Sequence, residues 1–206
     1  MNVVTIFDKV KPLFDKHKDE DHVEFEIRVG KFNCGTFDTN VGQVDFDKIM
    51  KGLQNYDGWE RVVTTHEEVY YQEKDNLRIS IDEQTSDEKI VRKERLHNEN
   101  FEKLDNSPFD IRFSVSKETP LDDYDGEMDK KKTKRRISFI RKNLSIDMTC
   151  VTGDVEDMDM EDPNSYQVEL EIINPKLVEN DNCLFNILHK VKDLSLIHIS
   201  EPTRPY

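Results

Sequence analysis

Hydrophobic residues change their period several times along this chain, and each change marks a new element. Val3, Ile6, Phe7, Val10, Leu13 and Phe14 recur at the spacing of an amphipathic helix. Pro12 falls inside that pattern, removes a backbone donor and predicts a break or kink. From His22 the period drops to two: Val23, Phe25, Ile27 and Val29 alternate with Glu24, Glu26, Arg28 and Gly30. That is a strand with one apolar and one charged face. "DFDKIMKGLQNY" returns to helical spacing, with Asp45 as the expected N-cap.

Strand patterns fill the middle of the chain. "RVVTTHEEVYYQE" and "LRISID" flank the turn residues "KDN", and "KIVRKERL" follows a second turn. "FDIRFSVSKETP", "KKKTKRRISFI", "NLSIDMTCV" and "YQVELEII" add further strands, separated in part by the acidic loops "LDDYDGEMD" and "TGDVEDMDMEDPNS". Pro175 stops the last of them, and "KLVENDNCLFNILHKVKD" reads as a terminal helix. The result is a mainly β (α+β) chain of about eight strands in antiparallel order with a few flanking helices.

Composition narrows the function classes. With 206 residues the chain fits one domain, yet only 35% are hydrophobic and 36% are charged, so much charge must sit on a surface or in a wet cavity. Thirty Lys and Arg against 44 Asp and Glu give a net charge of −14, which argues against coating nucleic acid by bulk attraction. Any polyanionic ligand needs a local basic site. Cys34, Cys150 and Cys183 are odd in number, far apart and outside CxxC spacing, so neither a disulfide framework nor a zinc site is expected. A reducing, intracellular compartment follows, and no apolar run is long enough to imply a membrane partner. The last thirteen residues, "LSLIHISEPTRPY", resemble a translated sequencing-library adapter. The expectation is a domain over 1–193, interrupted near Asp193, and an artefactual tail over 194–206.

The polar faces of the strands are sorted by charge. The first and last strands carry Glu24 with Glu26 and Glu169 with Glu171, while Lys132, Lys134 and Arg136 share one face of the lysine-rich strand. If eight strands close into a barrel, every second residue lines an enclosed interior. Same-face residues stand roughly 6.5–7 Å apart, so two E-x-E strands side by side form a four-carboxylate cluster suited to Mg²⁺ or Mn²⁺. A basic row opposite would hold phosphate oxygens. Metal plus cationic clamp is equipment for phosphoryl transfer. A solvated edge strand or a nuclear-targeting patch accounts for the basic run but leaves the paired carboxylates unexplained.

Taken in order, "VEFEIRVGKF", "NLRISID", "KIVRKERL", "FDIRFSVSKETP", "KTKRRISF", "LSIDMTCV" and "YQVELEII" resemble the strands of the triphosphate tunnel metalloenzymes, in particular the RNA 5′-triphosphatases of fungal and giant-virus mRNA capping. The resemblance implies an eight-stranded antiparallel β-barrel tunnel that removes the γ-phosphate from triphosphate-ended nascent RNA. It implies metal binding by Glu24, Glu26, Glu169 and Glu171, with Asp147 reaching the metal through water. Arg78, Lys93, Lys132, Lys134 and Arg136 would contact phosphate, and Glu118 would position or deprotonate the attacking water. Arg95 shares a face with Lys93 and competes for its assignment. The family arginine two residues before Asp147 is replaced by Ser145, for which Arg141 is a candidate substitute. A fused or associated guanylyltransferase and a nuclear, cytoplasmic or virion location fit the same resemblance.

Two rival readings remain. A tunnel enzyme acting on inorganic triphosphate or nucleotides prefers E-x-E-x-K, whereas Arg28 holds that third position here. A non-catalytic acidic β-barrel binding module is the other. His22, His66 and His97 lack metal spacing, and Trp59 with the Tyr70–Tyr71 pair is expected at the core or rim.

Overall fold

The computed structural model describes residues 2–102, 105–153 and 163–196. The elements run α1 (Val3–His17), β1 (Val23–Asn33), β2 (Thr36–Asp38), α2 (Gln43–Gln54), β3 (Arg61–Gln72), β4 (Leu77–Asp82), β5 (Glu88–Phe101), β6 (Asp110–Leu121), β7 (Lys130–Arg141), β8 (Leu144–Thr152), β9 (Asn164–Ile172) and α3 (Asp181–Leu196). The centre of the second acidic loop and residues 197–206 of the suspected tail lie outside the described residues.

Three local expectations are corrected. Pro12 does not interrupt α1: Val3, Ile6, Val10 and Phe14 bury one continuous stripe on both sides of it. The carbonyl that loses its partner belongs to exposed Asp8, on the solvent side of the helix, and packing outweighs the proline cost of about 3 kcal/mol. Helix α2 starts at Gln43 behind Gly42, which leaves Asp45 in the first turn, still favourable to the helix dipole, instead of at the cap. The terminal helix begins only at Asp181, after a short 3₁₀ turn at Pro175–Leu177.

Eight strands pair antiparallel in the order β1-β6-β5-β4-β3-β7-β8-β9, and β9 pairs back onto β1 to close the barrel. The three-residue β2, which carries no alternating pattern long enough to read, folds back onto the end of β1. At that hairpin Gly30 is required, because a Cβ there would overlap the carbonyl of Asp38 and the ring of Phe37. The closing register sets Glu26 opposite Glu171, Ile27 opposite Leu170 and Arg28 opposite Glu169. Directly paired residues share a face, so charged positions meet charged positions and apolar meet apolar.

The apolar face is the outer one. Phe25, Ile27, Phe113, Val115, Met148 and Leu170 are buried outside the barrel wall, beneath the helices. Phe14 of α1 lies 4.7 Å from Phe25 of β1, and Phe46 of α2 lies 5.3 Å from Tyr166 of β9. Phe7 and Phe185 join α1 to α3 edge to face at 5.5 Å. The core therefore sits between barrel and helices, which frees the lumen to be polar. Among the described residues no helix is long and apolar enough to cross a membrane.

Leu170 is fully buried in this outer core between two lumen-facing glutamates. Leu170→Ala is expected to cost about 2–5 kcal/mol of unfolding free energy, measured by urea denaturation; a loss well below that range would place its side chain elsewhere.

Candidate active site

Closure brings together residues that lie up to 147 positions apart, the separation of Glu24 and Glu171. Glu24 and Glu26 of β1, Glu169 and Glu171 of β9 and Asp147 of β8 line one wall of a single cavity. Asp147 faces Glu169 directly across β8 and β9. Opposite stand Lys132, Lys134 and Arg136 of β7, Arg78 of β4 and Lys93 of β5. Glu118 of β6 lies at one end, opposite Lys93 in register. All eleven positions named from sequence thus reach one lumen.

The carboxylates are held by cations of the same lumen. Arg28 places Nη2 2.7 Å from Glu26 Oε2 and Nε 2.9 Å from Glu169 Oε1. Lys93 pairs with Glu24, which also accepts from Ser116 Oγ at 2.9 Å, and its Nζ lies 3.0 Å from Glu118 Oε1. Arg78 and Lys89 approach Glu118 at 3.6 and 3.4 Å. Arg136 Nη1 stands 3.5 Å from Asp147 Oδ2. Tyr71, expected at the core or rim, instead lines the cavity and offers its ring to Arg78, Lys132 and Lys134 at 5.5–6.0 Å.

Ser145 has its own partner: its hydroxyl donates to Asp147 Oδ1 at 2.6 Å. Arg141 is no substitute for the absent arginine, because it stacks on Tyr56, 5.3 Å from the ring centroid, away from the cavity lining. Sequence reasoning placed Arg28 on the charged face with Glu24 and Glu26 but gave it no role in the site, where it engages Glu26 and Glu169. Between Lys93 and Arg95 the structure discriminates: Lys93 engages Glu24 and Glu118, whereas Arg95 lines the outer part of the cavity.

The electrostatics are strained toward excess negative charge on one wall. Burial, with help from Glu24 and Asp147, pushes the Glu171 carboxyl up to about 7. Burial and the nearby Glu169 and Glu24 raise Glu26 as well. Glu169 goes the other way: burial opposes its ionisation, but Arg28, a hydrogen bond from Glu26, Arg136 and Lys134 outweigh it. For Glu118 burial is likewise overcome, chiefly by Lys93 and Arg78, and its carboxyl is held at about 2. Burial lowers Lys134.

Hard oxygen donors on three adjacent strands, with carboxyls at Glu26 and Glu171 raised by burial and by neighbouring acids, suit a divalent cation. As the side chains stand, no three acidic, His or Cys groups converge on a coordination point among the described residues. Arg28, Lys93 and Arg136 occupy those carboxylates instead.

A closed eight-stranded antiparallel barrel with both signs of charge packed into its lumen has the architecture of the tunnel fold that the sequence resemblance implies. Residues 45–184 match the mRNA triphosphatase family, described as mRNA capping enzyme, beta chain, and the chain belongs to that family. It is an RNA 5′-triphosphatase of mRNA capping. The match begins after β1, so Glu24 and Glu26 join the site through the β1–β9 register. The chain is similar in structure to S. pombe Pct1 RNA triphosphatase at a TM-score of 0.74 and 16% identity, covering 97% of this chain and 93% of that one. It is similar also to S. pombe Pct1 solved in complex with the Spt5 CTD, at 0.77 and 16%, covering 97% and 94%. No curated protein matches the chain significantly in sequence.

The Glu171 shift has a stability consequence in metal-free protein. Its folded pKa of about 7 exceeds the ordinary 4.5, so the folded state binds the extra proton. Stability from this group is complete below pH 4.5 and is lost as pH rises toward 7. In chelator-treated protein the melting temperature is expected to fall over that window, and Glu171→Gln to flatten the fall; an unchanged slope would contradict the assignment.

Proposed function

We propose that this chain hydrolyses the β–γ anhydride of triphosphate-ended RNA in a divalent-metal-dependent reaction, with Mg²⁺ or Mn²⁺ held by Glu24, Glu26, Glu169 and Glu171 and supported by Asp147. The observation that carries the proposal is the meeting of these five carboxylates with six cations inside one closed lumen. When bound, the ion neutralises charge on the γ-phosphate and lowers the barrier to attack on it.

The chain's own residues do the positioning. Arg78, Lys132, Lys134 and Arg136 face the carboxylate wall and supply donors to β- and γ-phosphate oxygens. Lys93 sits between Glu24 and Glu118, so it links the metal wall to the end where Glu118 lies. Glu118, ionised far below neutral pH, is a poor base but a good hydrogen-bond acceptor. Its role in this proposal is to orient the water whose oxygen bonds to γ-phosphorus as the bond to the bridging oxygen breaks. Diphosphate-ended RNA and inorganic phosphate leave. Most of the rate enhancement is positioning and charge stabilisation.

The diphosphate end is an acceptor for nucleotidyl transfer, so association with a guanylyltransferase, fused or separate, belongs to the same proposal. So does an intracellular site of action. Arg28 in place of the lysine of E-x-E-x-K supports the RNA reading over an inorganic triphosphatase.

Phosphate release from triphosphate-ended RNA with Mg²⁺ or Mn²⁺ tests this. Arg136→Ala and Glu171→Gln are expected to lower kcat by about 10²–10³-fold. Full activity in either variant, or undiminished release in excess chelator, would overturn the assignment.

A further inference from the structure

The two ends of the tunnel differ in charge and in size. Toward the β3–β4 turn the lumen opens into a space of about 510 Å³ whose lining includes Arg28, Arg78, Lys93, Arg95 and Arg112 against only Glu26 and Glu73. Glu73 is paired with Lys130 at 2.8 Å and Glu26 with Arg28 at 2.7 Å, so neither is left to neutralise the other arginines. The opposite end is a space of about 250 Å³ lined by Glu24, Glu118 and Glu171 with Lys89.

A β-bulge keeps the wide end positive. Pairing of β5 with β6 runs Arg95 opposite Ser116, then shifts by one residue so that His97 faces Val115 and Asn100 faces Arg112. Without the extra residue, Leu96, the same count would set Glu99 opposite Arg112. The bulge turns Glu99 outward, where it meets Lys9 of α1 at 2.9 Å, and presents an amide in its place. Arg112 Nε donates to Asn100 Oδ1 at 2.8 Å and its guanidinium stacks 4.6 Å from the Phe37 ring centroid. It is held firmly without being neutralised. Among the described residues neither Arg95 nor Arg112 has a carboxylate partner, and Arg112 stands opposite Arg28 in the β1–β6 register. Burial and the repulsion of Arg95 and Arg28 lower the Arg112 pKa, as expected of cations gathered without a counter-ion.

Resting on the RNA triphosphatase reading, we propose that RNA enters by this wide, arginine-lined mouth and that Arg95 and Arg112 bind backbone phosphates downstream of the 5′-triphosphate. Arg112 lies one same-face step, roughly 7 Å, beyond the level of Glu26, which suits a chain whose triphosphate reaches the carboxylate wall. Among the described residues the narrow end offers a phosphate chain no unengaged cation, because Lys89 and Lys93 are taken up there by Glu118 and Glu24. Direction of entry is thus set by which mouth carries cations without a carboxylate partner.

The test compares a triphosphate-ended oligoribonucleotide with ATP, which has the triphosphate but no downstream phosphate. Arg95→Gln and Arg112→Gln are expected to lower kcat/KM for the oligonucleotide about tenfold, leave ATP within about twofold, and each reduce the salt slope of oligonucleotide binding by about one. Equal losses on both substrates, or none on the oligonucleotide, would overturn the proposal. Arg95 is exposed, so Arg95→Glu carries the test should Arg112→Gln fail to fold. Wild-type protein that hydrolyses neither substrate would sink the triphosphatase reading itself; the mouth is then judged by anisotropy of a labelled oligoribonucleotide, where affinity unchanged in Arg95→Glu overturns it.

Discussion

The pairing of β1 with β9 sets carboxylate against carboxylate, and the lumen is organised around that repulsion. Closing the barrel puts Glu26 opposite Glu171, an arrangement that is destabilising even on an open sheet. Inside a lumen screened from water it is worse. Arg28, Lys93 and Arg136 offset it, each engaging one or two of the acids. Removing one partner of such a buried pair typically costs about 3–5 kcal/mol, because the other charge is left uncompensated. The stability of this fold therefore comes from elsewhere, from the apolar layer between the barrel wall and its three helices.

That division of labour links fold to chemistry. With the core outside the barrel, the inside is free to hold charge at fixed positions, and phosphoryl transfer asks for little more. Charges already in place need no reorganisation when a phosphate arrives. The cations that restrain the carboxylates are the same kind of group that a triphosphate would draw toward itself. Arg95 and Arg112, without carboxylate partners among the described residues, make one mouth of the barrel unlike the other, which is the basis of the proposed direction of entry.

Much of this was legible in the sequence because a strand alternates strictly. Once "VEFEIRV" is a strand, Glu24, Glu26 and Arg28 must share a face, and their common direction follows without knowing the fold. The sorting of acids to the ends of the chain and bases between them carried the barrel reading. What was not legible depends on single-residue events or on distance. The bulge beyond Arg95 shifts every later residue of β5 to the other face, and nothing in "RLHNENF" marks it. The continuity of α1 through Pro12 depends on a buried stripe supplied by distant strands and by α3. Tyr71 reads as an ordinary strand aromatic until the barrel closes and three cations gather on its ring.

The proposed divalent-cation site lies inside the tunnel, among the paired glutamates of β1 and β9. Anomalous diffraction from crystals grown with Mn²⁺ reads that site directly. A strong peak is expected in the lumen beside the carboxylates of β1 and β9, absent from crystals of the Glu26→Gln, Glu171→Gln double variant. Mn²⁺ peaks confined to the outer surface, with none in the lumen of wild-type protein, would contradict it.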